Sequence, residues 1–412
     1  MENHKVIRNL KLYPLYAVCF NSHFWMPIFF LYFLRDLSIS QVLQLEAIYY
    51  IAIVTLEVPS GYLSDRFGRR PTLLIACAAL LIAYTLFYFG SSFESFAIAQ
   101  IFLAGGLAFN SGTDTSLYYD SLAAVGLEHT YGEKEAKIMQ KTFLAGGLAA
   151  VIGGAIGIFE LRYAYSLSGF MALAALCAVL GMSEPRTLLK TLLPERPINQ
   201  LKTCLRLLRH PSLAWIFAFY VLMTVLNHVP YEFYQPYLKL LLSQKTDMAR
   251  GASLSTGIHF GLAMMIAAAF ARYSVRLCNR IGLKRLFLGL IAFQTLTIFA
   301  MGFTLNALIV GLMLFRTVPR ALMTAPMNAT IAPLVDSAQR ATFLSLQSLA
   351  GRLAFSGFLF VLSMLAANPD LNGWSALSSK LLVSGAFGVV GLILMLVFSR
   401  KFTVIVRPSN EH

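Results

Sequence analysis

The chain has 412 residues, of which 58% are hydrophobic and only 13% are charged, and its mean hydropathy is +0.68. Soluble domains are about 25% charged, so this composition excludes an ordinary soluble protein and indicates a membrane protein. The net charge of +14 does not require nucleic acid as a partner, because basic residues also accumulate on the cytoplasmic side of membrane proteins.

Apolar runs recur along the whole chain, each close to the ~20 residues that a helix needs to cross the hydrocarbon core of a bilayer. We predict about twelve spans, at residues 13–34, 40–62, 71–90, 94–122, 138–159, 163–182, 212–242, 253–277, 286–304, 307–334, 342–366 and 376–398. The predicted fold is therefore an all-α membrane protein with twelve transmembrane helices, surrounded by the lipid bilayer.

The basic residues determine the predicted orientation. If the N-terminus lies inside, most of the 33 Lys and Arg residues fall in inner segments and few at the outer ends of spans. We therefore expect both termini to face the cytoplasm. The first apolar run is a full span without a small-residue cleavage site after it, so we expect it to remain in the protein.

The longest polar interruption separates six spans from six. It predicts two six-helix, pseudo-symmetric halves, residues 1–183 and 212–412, joined by a cytoplasmic linker at 184–211. A weak internal repeat supports this division: Leu63, Asp65, Arg66, Gly68 and Arg70 have counterparts at Leu277, Asn279, Arg280, Gly282 and Lys284. Parallel halves of this kind place a substrate site between them, near the midplane of the membrane.

Residues 61–70 (GYLSDRFGRR) lie between the second and third predicted spans. Together with the spans they resemble the major facilitator superfamily, whose loop pattern G-x-L-x-D-R-x-G-R-R/K is met at every fixed position. The resemblance covers essentially the whole chain and implies secondary transport by two rocking halves. We expect a gating role for Gly61, Asp65, Arg66, Gly68, Arg69 and Arg70, with Asp120 as the partner of the loop; the alternative is that the arginines only anchor the topology.

A narrower similarity points to the bacterial drug and siderophore exporters of the drug:proton antiporter type. It rests on Glu57, Pro59 and Gly61 ahead of the loop and on Tyr119, Asp120 and Ser121 at the end of span four. It implies a multi-pass protein of the bacterial cytoplasmic (inner) membrane. Span five contains five glycines but lacks the proline of the antiporter motif.

Three acidic residues inside the spans are candidates for proton coupling: Glu57 in span two, Asp114 in span four and Glu232 in span seven. An ionisable side chain at this depth is unfavourable unless it is paired or hydrated, so each is a functional candidate. Asp114 follows Asn110 by one turn and belongs to a polar stripe on the same predicted helix. A structural, hydrogen-bonding role for this stripe is the alternative.

Three arginines inside the last spans are candidates for substrate binding. Arg316 and Arg320 are one turn apart in span ten, and Arg352 lies near the middle of span eleven. We expect them to form one cationic wall suited to a carboxylate, catecholate or phosphate. The alternative is that each arginine pairs permanently with an acidic residue of the protein.

Polar and aromatic residues of other spans complete the candidate substrate site. Pro230 and Pro236 predict a broken helix in span seven, and we expect Asn227, Tyr231 and Gln235 to line one of its faces. Asn21 and Trp25 interrupt the apolar run of span one, and Trp25 and Tyr231 offer stacking surface for a planar ligand. Asn110 in span four is a further candidate.

The sequence thus predicts a proton-coupled transporter, expected to be a monomer, that exports a small amphipathic or anionic organic compound. No phosphate-binding loop of the G-x-x-x-x-G-K-S/T type occurs, which disfavours ATP as the energy source. We expect no catalytic residues, no metal site and no cofactor. The alternatives are an importer of an anionic nutrient or metal chelate, a membrane-embedded enzyme, and a non-transporting receptor.

Overall fold

A computed structural model describes residues 2–185, 197–242, 252–365 and 373–399 of the chain. Across these ranges the regular elements are helices, in agreement with the predicted fold class. Residues 186–196 of the predicted linker lie outside the described part, and a short helix, α9, occupies part of the remainder.

Seventeen α-helices follow one another in the described ranges. They are α1 (Glu2–Phe20), α2 (Phe29–Leu34), α3 (Ile39–Phe67), α4 (Arg69–Phe89), α5 (Phe93–Asn110), α6 (Thr113–Ala123), α7 (Tyr131–Ile156), α8 (Arg162–Gly181), α9 (Pro197–Leu207), α10 (Pro211–Leu242), α11 (Ala252–Ala271), α12 (Ser274–Ile281), α13 (Leu283–Phe303), α14 (Ala307–Met313), α15 (Val318–Ile331), α16 (Ser337–Leu365) and α17 (Trp374–Phe398). A single 3-10 turn, Glu128–Thr130, precedes α7.

Ten segments of the described chain are long and apolar enough to cross a membrane. They correspond to the last ten predicted spans. The first two predicted spans are not among them: they correspond to α1 with α2, which are separated by residues 21–28, and to α3, which has 29 residues. The multi-span architecture is thus present, and the count of twelve stays a prediction.

Four of the spans predicted as single helices are interrupted: spans one and eight at residues 21–28 and 272–273, and spans four and ten as described next. Span four breaks between α5 and α6, where Gly112 has a φ of 70°, a left-handed conformation that glycine adopts most readily. Span ten breaks between α14 and α15, and Pro319 stands in the first turn of α15. Proline has no N–H to donate to the preceding turn, so it begins a helix more easily than it continues one.

The predicted break in span seven is wrong, because α10 runs as one helix through Pro230 and Pro236. A proline inside a helix leaves the carbonyl four residues earlier without its usual N–H donor. At Pro230 that carbonyl belongs to Leu226, and the side-chain Nε2 of Gln294 donates to it at 3.3 Å. A neighbouring helix thus replaces the missing donor, and the helix continues.

Each half has its own apolar core. Aromatic rings of α2, α4, α5 and α8 meet in the first half, where Tyr32, Phe87 and Tyr165 are among the buried residues. In the second half Phe219 of α10 stacks on Phe287 of α13, with ring centroids 3.9 Å apart. Two separate cores are what two six-helix halves require.

The halves approach most closely along α7 and α11. A Cβ placed on Gly154 of α7 would lie 2.6 Å from the carbonyl oxygen of Ser253, and one on Gly257 of α11 would lie 2.6 Å from the carbonyl oxygen of Ala150. Small residues allow two membrane helices to pack backbone against backbone. Gly147 and Gly154 of span five therefore serve this contact between the halves, whereas Gly146 and Gly153 lie against Asn21 and Phe24 of the first half.

Candidate functional site

The motif segment 61–70, predicted as a loop, is the end of α3, Gly68 and the start of α4. It lies at one end of the bundle, here called the motif end, and its acid Asp65 binds the opposite half. Asp65 of α3 is 2% exposed and forms an ion pair with Arg69. Its carboxylate also accepts hydrogen bonds from the backbone N of Ala341 at 3.2 Å and of Thr342 at 2.8 Å, and from Gln200 Nε2 at 3.0 Å. Both backbone donors belong to the second turn of α16, so Asp65 holds that helix close to its start.

A second acid at the motif end binds two arginines, one from each half. Asp120 of α6 lies 3.5 Å from Nε of Arg69 and forms an ion pair with Nη1 of Arg340 in α16. Arg340 also donates to the carbonyl oxygens of Ala332 and Val335, at 3.1 and 3.0 Å. The predicted contact between the loop residues and Asp120 is present, but Arg340, the partner of Asp120 across the halves, was not among the residues expected to have a gating role.

The other loop residues support this cluster. Arg66 is exposed and donates to the hydroxyl of Tyr62 at 2.6 Å, while Arg70 donates to carbonyl oxygens at the end of α8. A Cβ on Gly61 would lie 2.7 Å from Oγ of Ser345 and 2.9 Å from the carbonyl oxygen of Ala341. Glycine at position 61 therefore lets α3 approach α16.

Glu184, which the sequence did not single out, binds the start of α4. Its two carboxylate oxygens accept from the backbone N of Arg69 and of Arg70, both at 2.8 Å. Burial raises the pKa of the Glu184 carboxyl above its usual value, and the two backbone donors offset part of that shift. Gly68, with a φ of 109°, makes the turn that brings α4 to this carboxylate.

Glu57 and Arg352 meet across the halves nearer the middle of the bundle. Oε2 of Glu57 lies 3.5 Å from Nε of Arg352, and Glu57 is fully buried. The expectation that Arg352 belongs to an open cationic wall is therefore wrong in this structure. Arg352 is paired with the buried carboxylate of Glu57 in the other half and is not left free to bind a substrate.

Asp114 stands in the first turn of α6, beside Asn110 at the end of α5. Because span four is broken, Asn110 and Asp114 do not share a face of one helix, but their side chains remain close. Asn110 accepts a hydrogen bond of 2.5 Å from the hydroxyl of Tyr16. Its amide is thus engaged within the first half.

Glu135 of α7 is a buried acid that the sequence did not single out. It is 2% exposed, its Oε2 has no hydrogen-bond partner among the described residues, and it interacts with Asp114 and with Asn328 of α15. The sequence places Glu135 in a polar segment ahead of span five, which resembles a solvated helix end. Two acids close together cannot both ionise easily, so this pair is suited to holding a proton.

Comparison with known proteins agrees with this geometry. The profile of the Major Facilitator Superfamily matches residues 14–358. The chain belongs to the Major Facilitator Superfamily. An uncharacterized transporter of Rickettsia bellii (strain RML369-C) is 24% identical over 211 residues, 49% of this chain and 48% of that protein, so the match spans about half of the relative.

Three solved structures share the major facilitator fold. The human organic anion transporter MFSD10 (TETRAN) has a TM-score of 0.70 at 16% identity, covering 95% of this chain and 99% of that one. The nucleoside transporter NupG has 0.67 at 13%, covering 95% and 99%. The proton:xylose symporter XylE has 0.67 at 16%, covering 98% of each chain. At these identities the likeness concerns the fold alone.

In this major facilitator protein Arg316 and Arg320 have different surroundings. Arg316 lies in the break between α14 and α15 and is 3% exposed, whereas Arg320 lies in the first turn of α15 and is exposed. The predicted shared face would need one continuous helix through both residues. Because Arg352 is bound to Glu57, the three arginines do not form a single cationic wall. Arg316 is separated in its surroundings from Arg320 and Arg352.

The polar residues of α10 face the first half of the major facilitator bundle. Tyr231 and Glu232 interact electrostatically with Tyr50 of α3, and Glu232 also with Glu46. Asn227 has a buried Oδ1 without a hydrogen-bond partner. The side chain of Gln235 lies outside the described part of the structure.

The two candidates after α1 are held within the first half. Asn21 donates to the carbonyl oxygen of Ala17 at 2.8 Å, and Nε1 of Trp25 donates to the hydroxyl of Tyr84 at 3.2 Å. The ring of Trp25 stacks on Tyr165, with centroids 6.2 Å apart. The surface that Trp25 was expected to offer a ligand is therefore partly covered by the protein.

Proposed function

We propose that this chain is a proton-coupled secondary transporter that exports a small amphipathic or anionic organic compound by alternating access. In this proposal the halves 1–183 and 212–412 rock about the linker 184–211, and the protein acts as a monomer in a bacterial cytoplasmic membrane with both termini cytoplasmic. The gating role falls to Asp65, Arg69 and Asp120.

The observation that carries the proposal is the set of charged contacts between the halves. At the motif end Asp120 pairs with Arg340 and Asp65 binds the start of α16, and deeper in the bundle Glu57 pairs with Arg352. Such contacts stabilise one arrangement of the halves and must break in the other. A proton arriving at a carboxylate removes its charge, which is a direct way to weaken an ion pair.

Protein reconstituted in liposomes tests the proposal. The pH of the lumen is followed while drugs, siderophores and organic anions are added in turn. We expect a compound-dependent proton movement that Asp114→Asn abolishes. Movement that survives this substitution would assign the proton to Glu57 or Glu232, and no movement with any compound would contradict proton coupling.

An importer of an anionic nutrient or chelate is the second candidate, and the buried Arg316 favours it as much as it favours an exporter of anions. Counterflow measured in vesicles of both orientations separates the two directions. A receptor that does not transport predicts that Asp65→Asn leaves function intact. The proposed transporter loses substrate movement on that substitution while the folded protein remains.

A further inference from the structure

Arg316 is a buried cation whose charge no acid of the described chain offsets. Its Nη1 donates to the carbonyl oxygen of Met313 at 3.0 Å and lies 3.4 Å from Nδ1 of His259. Its Nη2 is buried and has no hydrogen-bond partner in the described ranges, where the electrostatic partners of Arg316 are Tyr231 and Tyr234. An unpaired guanidinium away from water is strongly unfavourable, so this arrangement calls for an anion.

Aromatic rings surround the guanidinium. Its carbon lies 4.8 Å from the ring centroid of Tyr234 and 5.9 Å from that of Phe260. His259 stacks on Tyr234, with centroids 5.1 Å apart and planes at 6°. Attraction between a cation and aromatic rings offsets only part of the penalty of burying the charge. The rings instead supply flat apolar walls beside a free N–H donor.

The backbone around Arg316 is irregular and is held in place. The chain breaks between α14 and α15, and Nε2 of Gln294 lies 3.5 Å from the carbonyl oxygen of Arg316. Non-helical backbone at membrane depth is tolerated where protein buries it or where it lines a cavity. Interrupted helices of this kind form the binding sites of many transporters.

The Arg316 cluster is linked to the first half through Tyr231. Tyr231 interacts electrostatically with Arg316 on one side and with Tyr50 of α3 on the other. Its ring also packs edge-on against Phe260, at 6.4 Å. Tyr231 thus connects Arg316 with α3 of the other half.

We propose that Arg316 binds the anionic group of the transported compound and that this group is a carboxylate on a planar apolar body. The inference rests on the proposed transport function and narrows its substrate class. One positive charge matches a single negative charge, and a guanidinium edge matches the two oxygens of a carboxylate. The flat walls formed by Tyr234 and Phe260 suit a planar body.

Binding measured on purified protein in detergent tests the inference. The probes are three pairs of aromatic carboxylates and their neutral amides: benzoate with benzamide, 4-hydroxybenzoate with 4-hydroxybenzamide, and 2-naphthoate with 2-naphthamide. We expect at least one carboxylate to raise the melting temperature of the wild type in a concentration-dependent way, while its amide does so ~10-fold more weakly or not at all.

Matched variants locate the site. Arg316→Gln should abolish the preference for the carboxylate, and Arg316→Lys should retain part of it because the charge stays while the planar edge is lost. Arg272→Gln, at an exposed arginine just after α11, should keep the wild-type preference. The melting temperatures without probe report whether each variant is folded. If Arg316→Gln does not fold, the binding preference of Arg316→Lys tests the site.

Two results would overturn the inference: no carboxylate binds the wild type better than its amide, or the folded Arg316 variants keep the preference unchanged. The proposed transport function fails separately. Carboxylate binding that depends on Arg316, without any movement of the same compound across liposomes, would uphold the site and contradict transport. Transport of compounds that is unaffected by Arg316→Lys and Arg316→Gln would uphold transport and contradict the site.

Discussion

Asp120 of α6 forms a buried ion pair with Arg340 of α16, and this pair joins the two halves at the motif end of the bundle. Asp120 also contacts Arg69, which in turn pairs with Asp65. The loop pattern is therefore one part of a network that continues into the second half. In this arrangement the motif end is closed by charged contacts between residues that are otherwise costly to bury.

Arg340→Gln should open the motif end. Removing one partner of a buried pair costs ~3–5 kcal/mol, because the remaining charge is left without its counterion. Asp120 keeps Arg69, so we expect the lower part of that range, still enough to change the ratio of closed to open protein by ~100-fold. The distance between spin labels at positions 137 and 280, exposed on α7 and α12, measures the opening after the five native cysteines are replaced.

Arg276→Gln is the matched control, since Arg276 is an exposed residue of α12 at the same end. It should leave the distance distribution unchanged. An Arg340→Gln distribution identical to that of the control would show that the Asp120 pair does not hold the closed state.

The contributions of Glu57 and Arg352 to the free energy of unfolding should depend on each other. Arg352→Gln leaves a fully buried carboxylate without its cation, whereas Glu57→Gln leaves an arginine whose side chain is 27% exposed and can reach water. We therefore expect Arg352→Gln to destabilise more, and the double variant to be more stable than the sum of the single effects by ~1–3 kcal/mol. Unfolding by SDS in mixed micelles gives the four stabilities, and additive effects would argue against a pair.

Part of the charged network at the motif end was predictable from the sequence, because a short pattern at the end of a span depends on neighbouring residues only. Asp65 and Arg69 belong to that pattern, Asp120 was expected as its partner from another span, and the structure brings the three together. The partners Arg340 and Thr342 lie far along the chain, and only packing of α16 against α3 places them there. The sequence around residues 61–70 does not predict that packing.

Breaks and buried acids were harder to predict for the same physical reason. Proline at position 230 predicts a break in α10, yet the side chain of Gln294 supplies the donor that the helix lacks. Glu135 resembles a solvated residue beside Lys134 and Lys137, yet Asn328 of α15 packs against it. In both cases a side chain from a distant helix determines the local structure or environment, and the local sequence pattern does not include it.

Glu135→Gln should impair proton movement as Asp114→Asn does. The two acids interact in the first half, and Glu135 is buried with one oxygen unpartnered, so removing either charge removes the competition for a shared proton. We expect the compound-dependent change in lumenal pH to fall by ~10-fold or more in each of the two variants, because a group that transfers a proton typically contributes at least that much to the rate. The assay is the lumenal pH measurement described above.

Glu133→Gln provides the control for this experiment, because Glu133 lies two residues away on α7 and is exposed. Its proton movement should match the wild type. If Glu135→Gln behaves like this control while Asp114→Asn is inactive, the proton is carried by Asp114 without Glu135.

Gly257→Ala should separate α7 from α11. The added Cβ would lie 2.6 Å from the carbonyl oxygen of Ala150 and 3.0 Å from Cα of Gly154, and backbone atoms can move only if the helices do. Overpacking of this kind costs ~1–3 kcal/mol. A Cβ placed on Gly289 of α13 would have no atom of another described element within 4 Å, so Gly289→Ala should be neutral or stabilise by up to ~1 kcal/mol through its better helix propensity. Melting temperatures in detergent compare the two alanine variants, and equal shifts would mean that the α7–α11 contact adapts to a methyl group without strain.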